Sequence, residues 1–195
     1  MTGRSTMFAN TMVALLARQL DGHPELPNPL RGIDVERRML RHHWTGEYFR
    51  DALCRELPSG DGNVWPFFFG IFDDLEMRRR AFATLDARGL TRPVPLRYFE
   101  RRLPDSELPV PKAFTPNYQG DPSWTQLGAI YLGLLGELDP PRMHEQRARL
   151  AAFIERDQNY LELYTTRGEP YVGRARLYQA DEGMIWASLF LDLYR

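Results

Sequence analysis

The chain has 195 residues, 43% of them hydrophobic, and a formal net charge of −1. That is long and apolar enough for one domain with its own core, which excludes a disordered polypeptide, and the absence of a Lys/Arg block excludes the electrostatic footprint of a nucleic-acid binder. Cys54 stands alone, so neither an intramolecular disulfide nor a cysteine metal cluster can form.

Taken in chain order, Phe8, Met12, Leu15, Leu16 and Leu20 recur at helical spacing and predict a first helix. A proline-rich connection over residues 23–32 leads to a second helix, expected over 33–43 and ending in His42-His43. Beyond it lie Trp44, Glu47 and Tyr48, a candidate rim cluster, with Glu47-Tyr48-Phe49 as a short β-prone piece. The third helix is expected over 63–72, after a Gly-rich loop in which Asp61 suits a turn or a cap and Trp65 begins an aromatic run. Asp73 and Glu76 make a capping-box-like start for the fourth helix, which stops at Arg88-Gly89.

Residues 92–122 form a long Pro-rich connection of the kind that rims a ligand cleft. It contains the β-prone Leu96-Arg97-Tyr98-Phe99 and leads into a second candidate cluster of Tyr118, Gln119, Asp121 and Trp124. The clearest helical stripe follows at Leu127, Ile130, Tyr131, Leu134, Leu135 and Leu138, where Gly128, Gly133 and Gly136 leave room for close neighbours. Asp139 before Pro140 and Pro141 reads as an N-cap with prolines in the first turn, opening a helix that buries Met143, Leu150, Ala151 and Ile154. The pair is a helical hairpin. The last helix is expected over 182–194, with Asp181 as its N-cap and Glu182 favoured in its first turn by the helix dipole. The sum is seven helices in one all-α domain with short β pieces in its loops.

The longest apolar runs, residues 64–72 and 184–191, fall far short of a membrane span, and the N-terminus lacks the blocks of a signal peptide. A cytoplasmic protein without membrane attachment is expected. His42-His43, with His23 and His144 distant in sequence, have no metal-ligand spacing. Phosphate-loop and G-x-S-x-G patterns are absent too.

The most informative segment is Tyr160-Leu161-Glu162-Leu163-Tyr164, a carboxylate among aromatic rings, followed by the Gly168-Glu169-Pro170 turn and the closing helix. Tyr160 and Tyr164 are expected to flank Glu162 and to orient it by hydrogen bonds. Three motifs in order, Ser59-Gly60-Asp61-Gly62-Asn63-Val64-Trp65-Pro66-Phe67, then Asn117-Tyr118-Gln119-Gly120-Asp121-Pro122-Ser123-Trp124, then the Glu162 segment, resemble the six-hairpin (α/α)6 toroid glycosidases. The likeness is to the mannosylglycerate hydrolase-like group and the processing α-glucosidase I family. It covers residues 44–195 and corresponds to the second half of a twelve-helix toroid.

The resemblance implies an inverting glycoside hydrolase acting on α-linked glucosyl or mannosyl substrates, with Glu162 as general base on water and no metal or organic cofactor. It further implies sugar contacts from Asp61, Trp65, Tyr118, Gln119, Asp121, Trp124, Tyr164, Asp181 and Glu182. The family's general acid, an Asp of the first half, has no counterpart here, so the chain is expected to be the C-terminal portion of a larger catalytic domain or one partner of an assembly. Two alternatives stay open. One is a non-catalytic sugar-binding or scaffold half-toroid; the other is a sugar epimerase-like isomerase using His42 or His43.

Overall fold

The computed structural model describes residues 5–104, 113–181 and 183–194, and the chain divides into two compact units, Met1–Thr84 and Leu85–Arg195. Among the described residues there are seven α-helices and two small two-stranded sheets, so the fold is all-α, built on helical hairpins with short β pieces in its loops. None of these helices is long and apolar enough to cross a membrane.

In the first unit, α1 (Met7–Asp21) is capped by Thr6, whose hydroxyl oxygen accepts from Ala9 N, and α2 (Val35–His43) is capped by Asp34. A β-hairpin of β1 (Arg50–Ala52) and β2 (Arg55–Pro58) follows. The third helix, α3 (Gly60–Phe68), starts three residues before its expected position, because Ser59 caps it through Gly62 N and the glycines belong to its first turn. Gly62 has a packing reason there: a Cβ would stand 3.2 Å from Met7 Cβ, at the crossing with α1. Asn63 then ties α3 to the loop before β1. Its side-chain oxygen accepts from Phe49 N at 2.8 Å while its amide donates to Phe49 O and Ser59 O, both at 2.9 Å. Buried polar groups need such pairing, and one side chain here supplies three bonds.

The fourth helix, α4 (Leu75–Ala87), departs from the expected capping box. Asp74, not Asp73, accepts from Met77 N at 2.9 Å, and Glu76 turns outward to Arg79 and Arg80 at 2.7 and 3.0 Å. Two neighbouring acids compete for one cap, and the residue three before the free N–H wins.

In the second unit, α5 (Thr125–Gly136) and α6 (Pro140–Asp157) form the expected hairpin, with Asp139 accepting from Arg142 N at 3.1 Å. Leu127, Ile130, Tyr131, Leu134 and Leu135 of the expected stripe are buried, and so are Ala129 and Leu132 between them, which makes α5 apolar nearly all round, whereas Leu138 lies past the helix end and is half-buried. On α6 the fully buried residues are Gln146 and Leu150, whereas Met143, Ala151 and Ile154 are only half-buried. The closing helix, α7 (Met184–Asp192), packs on α5 and has Gly183 at its N-cap position with no side-chain cap. Asp181 is therefore not the cap expected of it. A pairing that periodicity does not reveal joins the segment before α5 to the segment after α6: β3 (Ser123–Trp124) lies antiparallel to β4 (Leu163–Tyr164), with Ser123 opposite Tyr164.

Candidate active site

The β3–β4 pairing fixes Glu162. Its carbonyl accepts from Thr125 N at 3.1 Å, at the start of α5, and its N–H donates to Asp181 O at 2.9 Å. Thr125 Oγ1 adds a bond to Leu161 O at 2.7 Å, so the backbone on either side of the carboxylate is pinned. Leu161 and Leu163 are buried, and Glu162 between them is half-buried, as period-two alternation places it.

The carboxylate accepts from two phenols. Tyr118 Oη donates to Oε1 at 3.0 Å, and Tyr178 Oη donates to Oε2 through a short hydrogen bond. Burial, aided by the nearby Glu162 charge, pushes the Tyr118 phenol up to about 12, and burial together with its bond to Glu162 raises Tyr178 well above the ordinary tyrosine range. The upward shifts favour the protonated phenols, which act as donors to the carboxylate. Tyr118 lies edge-on to Trp124, Tyr171 and Tyr178 at centroid distances of 4.9, 6.0 and 5.4 Å, and Tyr171 Oη is anchored to Pro116 O at 2.7 Å. Leu163, Tyr171 and Ala180 form the apolar floor. The indole Nε1 of Trp124 is buried without an acceptor among the described residues.

The two donors differ from the expected pair. Tyr160 sends its hydroxyl to Thr125 O at 3.0 Å, and Tyr164, fully buried, packs its ring edge-on against Phe153 at 5.2 Å with its hydroxyl toward Asp157. Both are structural supports for the strand that bears Glu162. Tyr178 was missed by sequence reasoning; it arrives on a hairpin in which Val172 bridges Gln179 and Gly173 N donates to Tyr178 O at 2.7 Å.

The remaining candidates divide. Asp121 is held in its own loop by Asn117 at 2.6 Å and by Arg97, whose guanidinium donates to the Asp121 carbonyl at 2.9 Å. Gln119 is exposed, and Asp181 is exposed with its backbone carbonyl taken by Glu162. Glu182 lies outside the described residues. Asp61 and Trp65 belong to the first unit. There Trp65 stacks on Phe69 at 5.1 Å and 11°, so one face of its indole is covered. Among the described residues no group of three or more His, Cys, Asp or Glu stands together as a metal site.

Asp61 is 3% exposed in the first turn of α3, and its charge acts on Asp51, which is 5% exposed and bonded to Arg55 at 2.8 Å. Burial first, and Asp61 second, push the Asp51 carboxyl from 3.8 to about 6. A carboxyl raised in the folded state binds its proton more tightly there, so its stabilisation is complete below pH 3.8 and is lost as pH rises through 6. The change is of order 2–3 kcal/mol. Urea unfolding at pH 4 and pH 7.5 should show that Asp51→Asn has a pH dependence weaker by this amount than the parent; an unchanged difference would refute the raised Asp51.

No protein-family model matches the chain, and no curated protein matches it. Solved structures do match in fold, two of them of one enzyme. Both are crystal structures of GH63 mannosylglycerate hydrolase from Thermus thermophilus, one in complex with Tris and D-glycerate, the other with Tris. The first aligns with a TM-score of 0.59 at 14% identity over 98% of this chain, the second with 0.58 at 13% over 98%. The chain spans 46% and 45% of those two proteins' lengths, respectively.

Proposed function

We propose that Glu162 is the general base of an inverting glycoside hydrolase acting on α-linked glucosyl or mannosyl substrates. The observation that carries this reading is the Glu162 carboxylate held by two phenol donors, on a fold shared with a GH63 hydrolase. Two donors fix both carboxylate oxygens in direction and leave each a lone pair, so a water can be polarised without the base rotating away. Rings of Tyr118, Tyr178 and Trp124 around it suit the apolar face of a pyranose.

Inversion also needs an acid on the opposite face of the sugar, roughly 6.5–9.5 Å from the base, to protonate the leaving oxygen. In this proposal that acid comes from a further segment or a partner chain. Mannosylglycerate, the substrate in the neighbours' name, is one candidate substrate. A second reading, a sugar-binding module without catalysis, is favoured by the chain's matching less than half of the hydrolases it resembles.

A glycosyl fluoride separates the two, because fluoride leaves without an acid's help and the base alone suffices. Incubation with α-mannosyl or α-glucosyl fluoride is expected to release fluoride and, by proton NMR, to give the β-sugar first. Saccharide binding with no fluoride release would establish the module, and an α-sugar as first product would end the inverting mechanism.

A further inference from the structure

The first unit contains a cavity of about 440 Å³ bounded by Ser5, Asn10, Arg38, His42, His43 and Leu53, none of which the Glu162 chemistry uses. His43 is 2% exposed. Its Nδ1 lies 3.1 Å from the Arg50 carbonyl oxygen, which can only accept, so the ring proton sits on Nδ1 and Nε2 presents a lone pair. Burial lowers the pKa of this ring and so favours its neutral form. The neighbour of that lone pair is the Asn10 amide nitrogen, at 3.4 Å. This nitrogen has two hydrogens and three claimants, and the Thr6 carbonyl at 2.7 Å and the Ser5 hydroxyl at 2.9 Å are both nearer. This buried acceptor therefore holds only the longest of the amide's three contacts, beside a cavity from which a closer donor can reach it.

The formal charge on the rim is that of Arg38. Arg38 and His42 are exposed and make no ion pair with a described residue, and Glu36, the acid of the same helix, is taken by Arg18 at 2.8 Å. A neutral sugar would leave the Arg38 guanidinium unanswered, whereas a bare anion would offer Nε2 no closer donor than Asn10. Both needs are met by one molecule. We propose that the cavity binds a small hydroxycarboxylate, its hydroxyl donating to His43 Nε2 and its carboxylate received by Arg38 and His42. A sugar acid of about six carbons is in scale, since small-molecule pockets run to roughly 300–1,000 Å³.

Calorimetric titration of the protein with gluconate, acetate and inorganic phosphate tests this. Gluconate is expected to bind at least tenfold more tightly than the other two, Arg38→Ala to weaken it by tenfold or more, and the His43 Nε2 nitrogen resonance to move on binding. Arg38 is on the exposed face of α2, so the variant tests binding rather than folding. Phosphate binding as tightly as gluconate, an Arg38→Ala variant with undiminished affinity, or a stationary Nε2 resonance would each overturn the assignment. Glu162→Gln should leave gluconate binding unchanged, which keeps this result separate from the fate of the hydrolase reading.

Discussion

Glu162→Gln is expected to lower the rate of glycosyl fluoride hydrolysis by about 10³-fold, within the 10²–10⁴ that a positioned base supplies, while saccharide affinity changes by no more than a few-fold. The substitution keeps the shape and the neighbours: a Gln oxygen can accept from one phenol, and the other hydroxyl can turn to accept from the amide. What disappears is the proton acceptor. Tyr118→Phe and Tyr178→Phe leave the carboxylate but remove a hydrogen bond to a charged group, worth about 1.5–3 kcal/mol, so each should cost on the order of tenfold or somewhat more in rate. Because both phenols act on one carboxylate, the double variant should fall short of the product of the single effects. A Glu162→Gln protein retaining more than a tenth of the parental rate would remove Glu162 from the chemistry.

The existence of the helices was legible from apolar spacing and caps, but the stripe expected of α1 did not mark its buried face, since Phe8 and Leu16 are exposed and Met7, Thr11 and Ala14 are buried. Where the start of α3 was misplaced, the cause was local: Gly60 and Gly62 look like loop residues until the crossing with Met7 is known, and that crossing is tertiary. Glu162 and Tyr118 were legible as a carboxylate and a ring in two motifs of a known order. Their meeting depends on the pairing of Ser123-Trp124 with Leu163-Tyr164, two-residue strands too short to leave a periodic signal. Tyr178 was hidden for the same reason. The available signal was Gly173, five residues before it, where a Cβ would stand 2.7 Å from Phe114 O. Proximity in sequence pointed instead to Tyr160 and Tyr164, whose hydroxyls are spent on Thr125 and turned toward Asp157.

Gly128→Ala should be among the most destabilising single-methyl additions to the chain, although alanine is the better helix former by about 1 kcal/mol. A Cβ at this position of α5 would lie 2.2 Å from Pro95 O and 2.7 Å from Pro95 C, atoms of backbone that cannot swing aside like the end of a side chain. That backbone is itself held: Trp124 N donates to Leu96 O at 2.8 Å, Tyr98 N to Pro122 O at 3.1 Å, and Ser123 Oγ to Val94 O at 2.9 Å. Relief of the clash must break part of this set, each bond contributing about 1 kcal/mol, on top of an overpacking cost of about 1–3 kcal/mol. The expected net loss is about 2–4 kcal/mol, a fall in Tm of roughly 5–15 °C for a chain of this size. The matched substitution Gly133→Ala, further along the same helix, meets nothing nearer than Leu193 Cδ2 at 3.8 Å and should be neutral or stabilising by up to about 1 kcal/mol. Calorimetric scans of the two variants provide the comparison. Equal melting temperatures would mean that residues 94–98 do not lie on the first turns of α5, and the support beneath Trp124 and the Glu162 strand would have to be redrawn.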